Sequence, residues 1–394
     1  MLSLVSNSAH PAPLTEAKAV RAALEHPALD ELEHSDAARA EAEGRTQTRW
    51  SNPQLSYTRE QLVTDGAFGE DYIGLSQTFD VSGRRKLARE AAERRVDAAH
   101  AHADARNIEL AADVRHRFYA LLLAQRRASV LQTWRTQVKA RHDAVAKREQ
   151  AGDAAAYERL RLAREVGHVE AVLEREHAAI TRVWAELRVL TGQADAAAPD
   201  LDGVLLPGPQ ACPQAPALAE SPRHRAREAE AQALRLDGRV ASRWWVPNPT
   251  VGLGYKGVEQ PGGGRAHGLF VSVSMPLPAF DRGQSLRARA EAEHSTHRAS
   301  AALALRRDEV ELAAACDELT ALREGVARML ARDDATSQAL IAAAEAGYHG
   351  AEVSVLELVD AYRSVTEARL LQLELSMQAR EAHIELRRRA GDQP

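Results

Sequence analysis

Aromatic residues, cysteines and long apolar runs are all scarce in this chain of 394 residues. Aromatic residues make up only 4% of the sequence, which is little for a single globular core of this size. No segment reaches the roughly 18 consecutive apolar residues that a membrane-spanning helix needs. The sequence therefore predicts neither one large aromatic-rich core nor a transmembrane helix.

The two cysteines, Cys212 and Cys316, show no spacing typical of zinc ligands or of a redox motif. A disulfide requires two cysteines close in space, and nothing in the sequence brings these two together. A disulfide between them is therefore possible, but we do not expect one. Cys316 lies in a helical pattern, where a free cysteine acts as a small buried apolar side chain.

Patterns of catalysis and metal binding are missing as well. The sequence has no nucleophile motif, no dinucleotide fingerprint and no carboxylate pair at metalloenzyme spacing, so we expect no enzyme, cofactor or metal site. His100 and His102 lie two residues apart on a helix and do not share a face. The glycines at 262–264 join two strands without a following Lys-Ser/Thr, which excludes a phosphate-binding loop. A net charge of −5, with both signs mixed along the chain, excludes the basic face of a nucleic-acid-binding protein.

What the chain does contain is a repeated β-hairpin. Near Trp244–Gly283, Val251, Leu253 and Tyr255 alternate with Gly252, Gly254 and a lysine, and after a glycine-rich loop a second alternating run follows. Two period-2 runs joined by such a loop predict a hairpin, here at about 248–280. The segment Trp50–Gly83 follows the same plan and predicts a hairpin at about 53–81. In both, an Asn-Pro pair leads into the first strand, which indicates an internal duplication.

Long helical patterns follow each hairpin. Residues 83–150 contain no proline and no interior glycine, and a helix of that length would extend about 100 Å at 1.5 Å per residue. We predict long helices at 83–150 and 156–190 in a first repeat (14–192), then a linker (193–221). A second repeat (222–391) has long helices at 284–345 and 352–390, with Gly347 and Gly350 as the break between them. Thr15 is expected to cap the first short helix, which Pro27 interrupts.

Four short strands per chain leave two unprotected sheet edges. Copies from other subunits could pair with those edges and close a barrel, and strands of about 10 residues suit a tilted crossing of a bilayer. Helices this long must pack along neighbours rather than form a compact globule. The sequence therefore predicts a symmetric oligomer in which a shared β-barrel is continued by a tube of helices.

The duplicated helix–hairpin–long helix–helix plan, the Trp-x-Asn-Pro entries to the hairpins and the Ala-Gly breaks resemble the TolC-like outer membrane factor family. The resemblance runs from Leu14 to Gly391. It implies a mainly α fold with a small β part: a homotrimer with a 12-stranded outer-membrane barrel and a periplasmic α-helical barrel. It implies an exit duct for a tripartite efflux pump, with a periplasmic adaptor and an inner-membrane RND-type or ABC transporter as partners. The segment Tyr157–Glu165 is most similar to heavy-metal cation efflux members.

The resemblance also assigns candidate channel residues. Glu357 and Asp360 fall on the acidic constriction that gates the tunnel, and residues three apart share a helix face. A solvated acidic face remains the alternative. The periplasmic tips that touch the adaptor would be Gly152, Asp153, Gly347, Tyr348 and Gly350. Trp50, Trp244 and Trp245 precede strands, where tryptophan suits the bilayer interface better than a core.

Other functions stay open at this point. The duct could serve type I secretion, and a periplasmic adaptor or a cytoplasmic coiled-coil scaffold would also carry long helices. An adaptor has one helical hairpin and no duplicated strand pairs, and a scaffold would show sustained heptads. The first residues lack the basic and apolar regions of a signal peptide. We expect an export signal to precede them and the outer membrane to be the destination.

Overall fold

The computed structural model describes residues 13–61, 69–153, 155–194, 197–213, 218–260 and 262–392. Its helices are Glu16–Leu24 (α1), Pro27–Thr48 (α2), Arg84–Gln150 (α3), Ala156–Thr191 (α4), Pro222–Ser242 (α5), Gln284–His349 (α6) and Val355–Ala390 (α7). Its strands are Leu14–Thr15 (β1), Gln54–Gln61 (β2), Gly69–Thr78 (β3), Leu201–Asp202 (β4), Thr250–Glu259 (β5) and Arg265–Ser274 (β6). The prediction of a mainly helical fold with a small sheet is confirmed.

Several local expectations are also confirmed. The side chain of Thr15 accepts a hydrogen bond from the Lys18 backbone N–H and caps α1. Pro27 begins α2 after a short break. The 67-residue helix α3 contains neither proline nor glycine. The turn of the first hairpin, with Gly66, and parts of the linker lie outside the described residues.

The chain divides into two compact units. The sheet unit comprises Glu31–Ala103 and Pro222–Leu305, and the helical unit comprises the chain up to Asp30, Asp104–Ser221 and the chain from Arg306. Each unit takes segments from both halves of the sequence, because α3 and α6 run across the two boundaries. None of the described helices is long and apolar enough to cross a membrane.

The sheet unit contains one antiparallel sheet with the strand order β2-β3-β5-β6. The contact between β3 and β5 joins the two hairpins, so β2 and β6 form the edges. The alternating pattern places ten apolar side chains on one face, all exposed: Leu55, Tyr57, Ile73, Leu75, Val251, Leu253, Tyr255, Leu269, Val271 and Val273. The opposite face is mostly glycine, serine and threonine. The apolar face of this sheet is therefore the one exposed in the single chain.

The helical unit is held by an apolar core of its own. Phe118, Leu121 and Leu122 of α3 pack with Trp184 and Leu187 of α4 in the largest buried cluster. The short parallel pair β1–β4 lies against the same cluster through Leu14 and Leu201. These contacts bring the start of the chain beside the segment that follows α4.

The segment after β4 is fixed by two further links. Arg380 of α7 donates from Nε to the Leu205 carbonyl (2.9 Å) and from Nη2 to the Val204 carbonyl (2.6 Å). A disulfide joins Cys212 to Cys316 of α6. Our expectation of no disulfide was wrong, because residues 104 positions apart become neighbours only when the segment folds back on α6.

Candidate functional site

The first predicted tip is the turn between α3 and α4. Gly152 has a φ of +85°, which a residue with a side chain rarely adopts. The Asp153 N–H donates to the Arg148 carbonyl (2.8 Å), and Arg148 Nη2 donates back to the Asp153 carbonyl (3.2 Å). Both tip residues are exposed, so this turn presents a fixed backbone to the solvent.

The second predicted tip lies between α6 and α7, and the structure corrects its details. Gly347 does not end the helix, since α6 continues to His349. A Cβ on Gly347 would come within 2.5 Å of Val353 Cγ2, so glycine allows the chain to fold back tightly there. The positive φ of the turn belongs to Ala351 (+58°) and not to Gly350.

Tyr348 is only half exposed at this tip. The guanidinium of Arg141 lies 5.5 Å from the centre of its ring, and the ring packs at the edge of a buried cluster. That cluster includes Val138 and Trp134 of α3 and Leu162 of α4. The second turn is therefore anchored to both helices of the first tip.

Glu357 and Asp360 lie on the exposed side of the first turns of α7. Glu357 closes a capping box: the Glu357 N–H donates to Ser354 Oγ (3.3 Å), and the Ser354 N–H donates to Glu357 Oε2 (2.8 Å). The hydrogen bonds from the Ser354 N–H and hydroxyl hold the pKa of Glu357 below its usual range. The carboxylate is thus ionised and oriented within a single chain.

Asp360 is less constrained. Its side chain is 77% exposed and lies 3.8 Å from Arg363, whose guanidinium binds Glu165 of α4 at 2.6 Å. Leu358 and Val359 point the other way and are buried in the tip cluster. The helix therefore separates an acidic exposed face from an apolar packed one.

The sequence analysis missed the structural role of Glu357. The sequence does contain the pattern of a capping box: Ser354 is followed three residues later by Glu357, just before an apolar run. This role does not compete with a role in a pore, since the exposed carboxylate keeps its charge.

The predicted interface tryptophans lie in the sheet unit, beside the strand ends. Trp50, Trp244 and Trp245 are 54%, 44% and 59% exposed. The Arg85 guanidinium lies over the Trp50 ring at 4.0 Å, and the Arg84 guanidinium lies over the Trp244 ring at 4.6 Å. Exposed aromatic rings that border an apolar face are typical of a membrane interface.

At the other end of the apolar face the strands carry charges. Arg59 of β2 and Arg265 of β6 form ion pairs with Asp71 of β3 and Glu259 of β5. Tyr57 donates to Asp71 at 2.9 Å. The apolar rows are thus bounded by a tryptophan border on one side and by tyrosines and ion pairs on the other.

No group of three or more histidine, cysteine, aspartate or glutamate side chains within the described ranges is arranged to hold a metal ion. The cysteines are not available as ligands, because they form the disulfide.

Comparisons with known proteins agree with this arrangement. Residues 19–193 match the family described as "Outer membrane efflux protein". The chain is 25% identical over 255 residues to the nickel-cobalt-cadmium resistance protein NccC of Alcaligenes xylosoxydans xylosoxydans, covering 64% of this chain and 56% of NccC. It is 29% identical over 258 residues to the nickel and cobalt resistance protein CnrC of Cupriavidus metallidurans, covering 64% and 59%. The match thus spans less than two thirds of either relative.

The fold is similar over nearly the whole chain to solved structures. The crystal structure of CusC superimposes with a TM-score of 0.78 at 17% identity, covering 95% of this chain and 92% of that one. At this identity the likeness shows the fold alone. It extends the resemblance beyond residues 19–193 to the second hairpin and its helices.

Proposed function

We propose that this chain is a member of the TolC-like outer membrane efflux protein family and forms the outer-membrane exit duct of a tripartite efflux system. The observation that carries the proposal is the open four-stranded sheet with ten exposed apolar side chains on one face. Such a face is stable in lipid, but its two edges need partners, because lipid cannot satisfy free backbone groups. An adaptor or a coiled-coil scaffold would not explain that face.

A homotrimer supplies those partners. In this arrangement β6 of one copy pairs with β2 of the next, and three copies close a barrel of twelve strands without free edges. Strands β3, β5 and β6 each have 10 residues, the length of a tilted strand that crosses a bilayer. Outer-membrane lipid then covers the apolar face, between the tryptophan border and the ion pairs.

The location follows from the same features. The disulfide between Cys212 and Cys316 supports folding in an oxidising compartment, such as the periplasm of a Gram-negative bacterium. The sheet would lie in the outer membrane and the helical unit in the periplasm. Trp50, Trp244 and Trp245 would anchor the periplasmic border of the barrel.

The tips and the acidic pair receive roles within this duct. Gly152, Asp153, Gly347, Tyr348 and Gly350 would contact a periplasmic adaptor, which links the duct to an inner-membrane RND-type or ABC transporter. Glu357 and Asp360 of three copies would form an acidic ring around the axis, which concentrates cations and repels anions. The exposed, ionised state of Glu357 supports this role.

Divalent metal cations are the cargo that the relatives suggest. NccC and CnrC are resistance proteins for nickel and cobalt, and NccC also for cadmium. The acidic ring suits cation passage. The duct itself needs no metal site, because the pump selects the cargo.

The test of the duct is assembly and conductance. Detergent-extracted protein should have three times the mass of one chain by native mass spectrometry and should form ion channels in planar bilayers. A stable folded monomer that does not conduct would contradict the proposal. Photo-crosslinkers at Ala155 and Ala351 should trap the adaptor, whereas one at Gly263, in the hairpin loop, should not.

The cargo is tested separately in cells. A strain that lacks this gene but keeps the adaptor and pump should lose tolerance to nickel and cobalt, and plasmid-borne protein should restore it. Unchanged metal tolerance together with a new sensitivity to organic toxins would assign a different cargo while leaving the duct intact.

A further inference from the structure

The sheet unit contains a cavity of about 540 Å³ where the strands meet the long helix α3. Ser51, Thr78 and Asn248 line it at the strand ends. Three arginines, Arg49, Arg84 and Arg85, and two tryptophans, Trp50 and Trp244, line it as well. The duct as proposed above gives the tryptophans a role at the membrane border, but it gives none to the three guanidinium groups.

Two of the arginines are held in place by aromatic rings. Arg85 lies over Trp50 and donates from Nε to the Thr48 carbonyl at 2.9 Å. Arg84 lies over Trp244 and donates from Nε to Ser82 Oγ at 2.9 Å. Stacking fixes the plane of each guanidinium. Arg84 Nη2 donates to the Asn248 side-chain oxygen at 3.1 Å, and Arg84 Nη1 and the terminal NH₂ groups of Arg85 remain directed along their planes. This is the geometry in which arginine binds a phosphate through two parallel hydrogen bonds.

The carboxylates of the cavity already have other partners. Asp80 accepts from the Ser82 hydroxyl (2.5 Å) and from the Arg85 backbone N–H (2.9 Å), which holds the start of α3. Asp237 is paired with Arg95, which does not line the cavity. Asp80 also interacts electrostatically with Arg84. The lining still has three guanidinium groups and only two carboxylates, and an excess of positive charge attracts an anion.

The position of the cavity indicates where the anion comes from. It lies at the tryptophan border of the apolar face, the level at which lipid headgroups meet protein. Trp50, which also contacts Phe79 edge-to-face with 6.1 Å between ring centres, is more than half exposed there. Basic pockets at this level bind anionic headgroups of membrane lipids.

We propose that this cavity binds the phosphate of an anionic phospholipid headgroup, with Arg84 and Arg85 as its ligands and Trp50 and Trp244 as the walls that orient them. The proposal rests on the membrane location given above. In that location the lipid would come from the periplasmic leaflet of the outer membrane. Arg49, exposed at the rim, adds charge to the entrance.

The test uses the full chain in detergent, in preparations first shown to conduct in planar bilayers. Native mass spectrometry then follows binding of phosphatidylglycerol, with phosphatidylcholine and inorganic phosphate as separate probes. We expect phosphatidylglycerol to bind with a stoichiometry of one per chain. The variants R84K and R85K keep the charge but lose the planar pair of donors, so each should weaken this binding about tenfold.

The control is R89K, because Arg89 lies one turn beyond Arg85 on α3, is exposed and does not line the cavity. Melting temperatures of all three variants show whether a loss of binding reflects unfolding. Equal binding of phosphatidylglycerol by wild type, R84K and R85K in conducting preparations would overturn the site while leaving the duct intact. Binding of inorganic phosphate as tight as that of the lipid would overturn the lipid assignment.

Discussion

At the residue scale, Ala351 has the backbone conformation of a glycine. It has a φ of +58° in the turn between α6 and α7, and among the described non-glycine residues it alone has a positive φ. An L-residue with a side chain loses about 1 kcal/mol or more in this conformation. Two glycines lie nearby, at 347 and 350, but neither occupies the strained position.

The first prediction follows from this strain. The variant A351G should stabilise the protein by about 0.5–1 kcal/mol, because glycine relieves the strain but adds entropy to the unfolded chain. Denaturant unfolding followed by circular dichroism measures the change. The matched control is G350A, since a Cβ there would meet the Ala346 carbonyl at 3.4 Å, the Gly347 carbonyl at 3.7 Å and Glu352 Cγ at 3.8 Å, all ordinary van der Waals contacts. A lower free energy of unfolding in A351G than in the wild type would contradict the hypothesis that Ala351 is strained.

His383 of α7 gives a second prediction. It is 7% exposed, accepts from Arg380 Nη1 at Nδ1 (3.3 Å) and lies 2.5 Å from Gln210 Oε1 through Nε2. Burial, with the positive charges of Arg380 and Arg387 nearby, lowers its pKa from 6.5 to about 4. Between pH 6.5 and about 4, this histidine therefore binds a proton in the unfolded chain but stays neutral in the folded chain.

Stability should accordingly fall as the pH drops from about 6.5 towards 4, by up to about 3 kcal/mol from this group. The variant H383Q should show a flatter pH profile of unfolding over that window than the wild type. H177Q, at a side chain that is 52% exposed, should keep the wild-type slope. Equal slopes for H383Q and wild type would show that His383 is not the group responsible.

The residue scale is also where sequence reasoning was least complete. Asn-Pro pairs and alternating apolar residues predicted the hairpins. Glu357 and Asp360 both lie on the exposed side of α7, and their place in a pore stays a prediction. The position of the left-handed residue was missed, because two nearby glycines were better candidates on propensity than Ala351. The close packing of Val353 against Gly347 determines which residue takes the left-handed conformation. Residue propensities alone do not predict such a tertiary contact.

At the scale of elements, the tertiary contacts of the segment from β4 to α5 could not be predicted from the sequence. It reads as a linker rich in alanine and proline. In the structure Leu201–Asp202 pairs with β1. Arg380 of α7 binds the carbonyls of residues 204 and 205, and a disulfide joins Cys212 to α6. Long helices could be predicted from the absence of proline, whereas these tertiary links join residues that are far apart in sequence.

The disulfide gives the third prediction. Its closed loop spans 104 residues, so reduction should restore much entropy to the unfolded chain. We expect dithiothreitol, or the double variant C212S/C316A, to lower the free energy of unfolding by about 2–4 kcal/mol. Dithiothreitol should have no effect on the double variant. Equal stability with and without the reductant in the wild type would contradict a stabilising role.

At the scale of the whole molecule, the proposed acidic ring would exist only in the proposed trimer. In that trimer each chain would contribute Glu357 and Asp360 from the exposed face of α7. Like charges around one axis would raise the local concentration of cations. The capping box dictates how the ring should be tested, because removing the Glu357 side chain would also loosen the start of α7.

The fourth prediction therefore uses E357Q and D360N, which remove charge and keep shape; glutamine still serves in a capping box. In planar bilayers the double variant should show weaker cation selectivity and weaker block by divalent cations. The alanine pair should in addition conduct better, because it also removes side-chain volume. E381Q, an exposed position late in α7, is the control. Unchanged selectivity in the double variant would favour an ordinary solvated acidic face.

The two sheet edges differ, and this has a consequence for inheritance. The edge strand β2 belongs to the first hairpin and the edge strand β6 to the second. Each junction of the proposed three-chain ring would therefore join unlike strands, head to tail. A chain with a proline that blocks pairing at β6 still offers a sound β2, and it can enter a ring that it cannot complete. When such a chain and the normal chain are made in equal amounts, about one ring in eight contains only normal copies. Mutations at either edge should therefore be genetically dominant, whereas mutations that unfold the whole chain should be recessive.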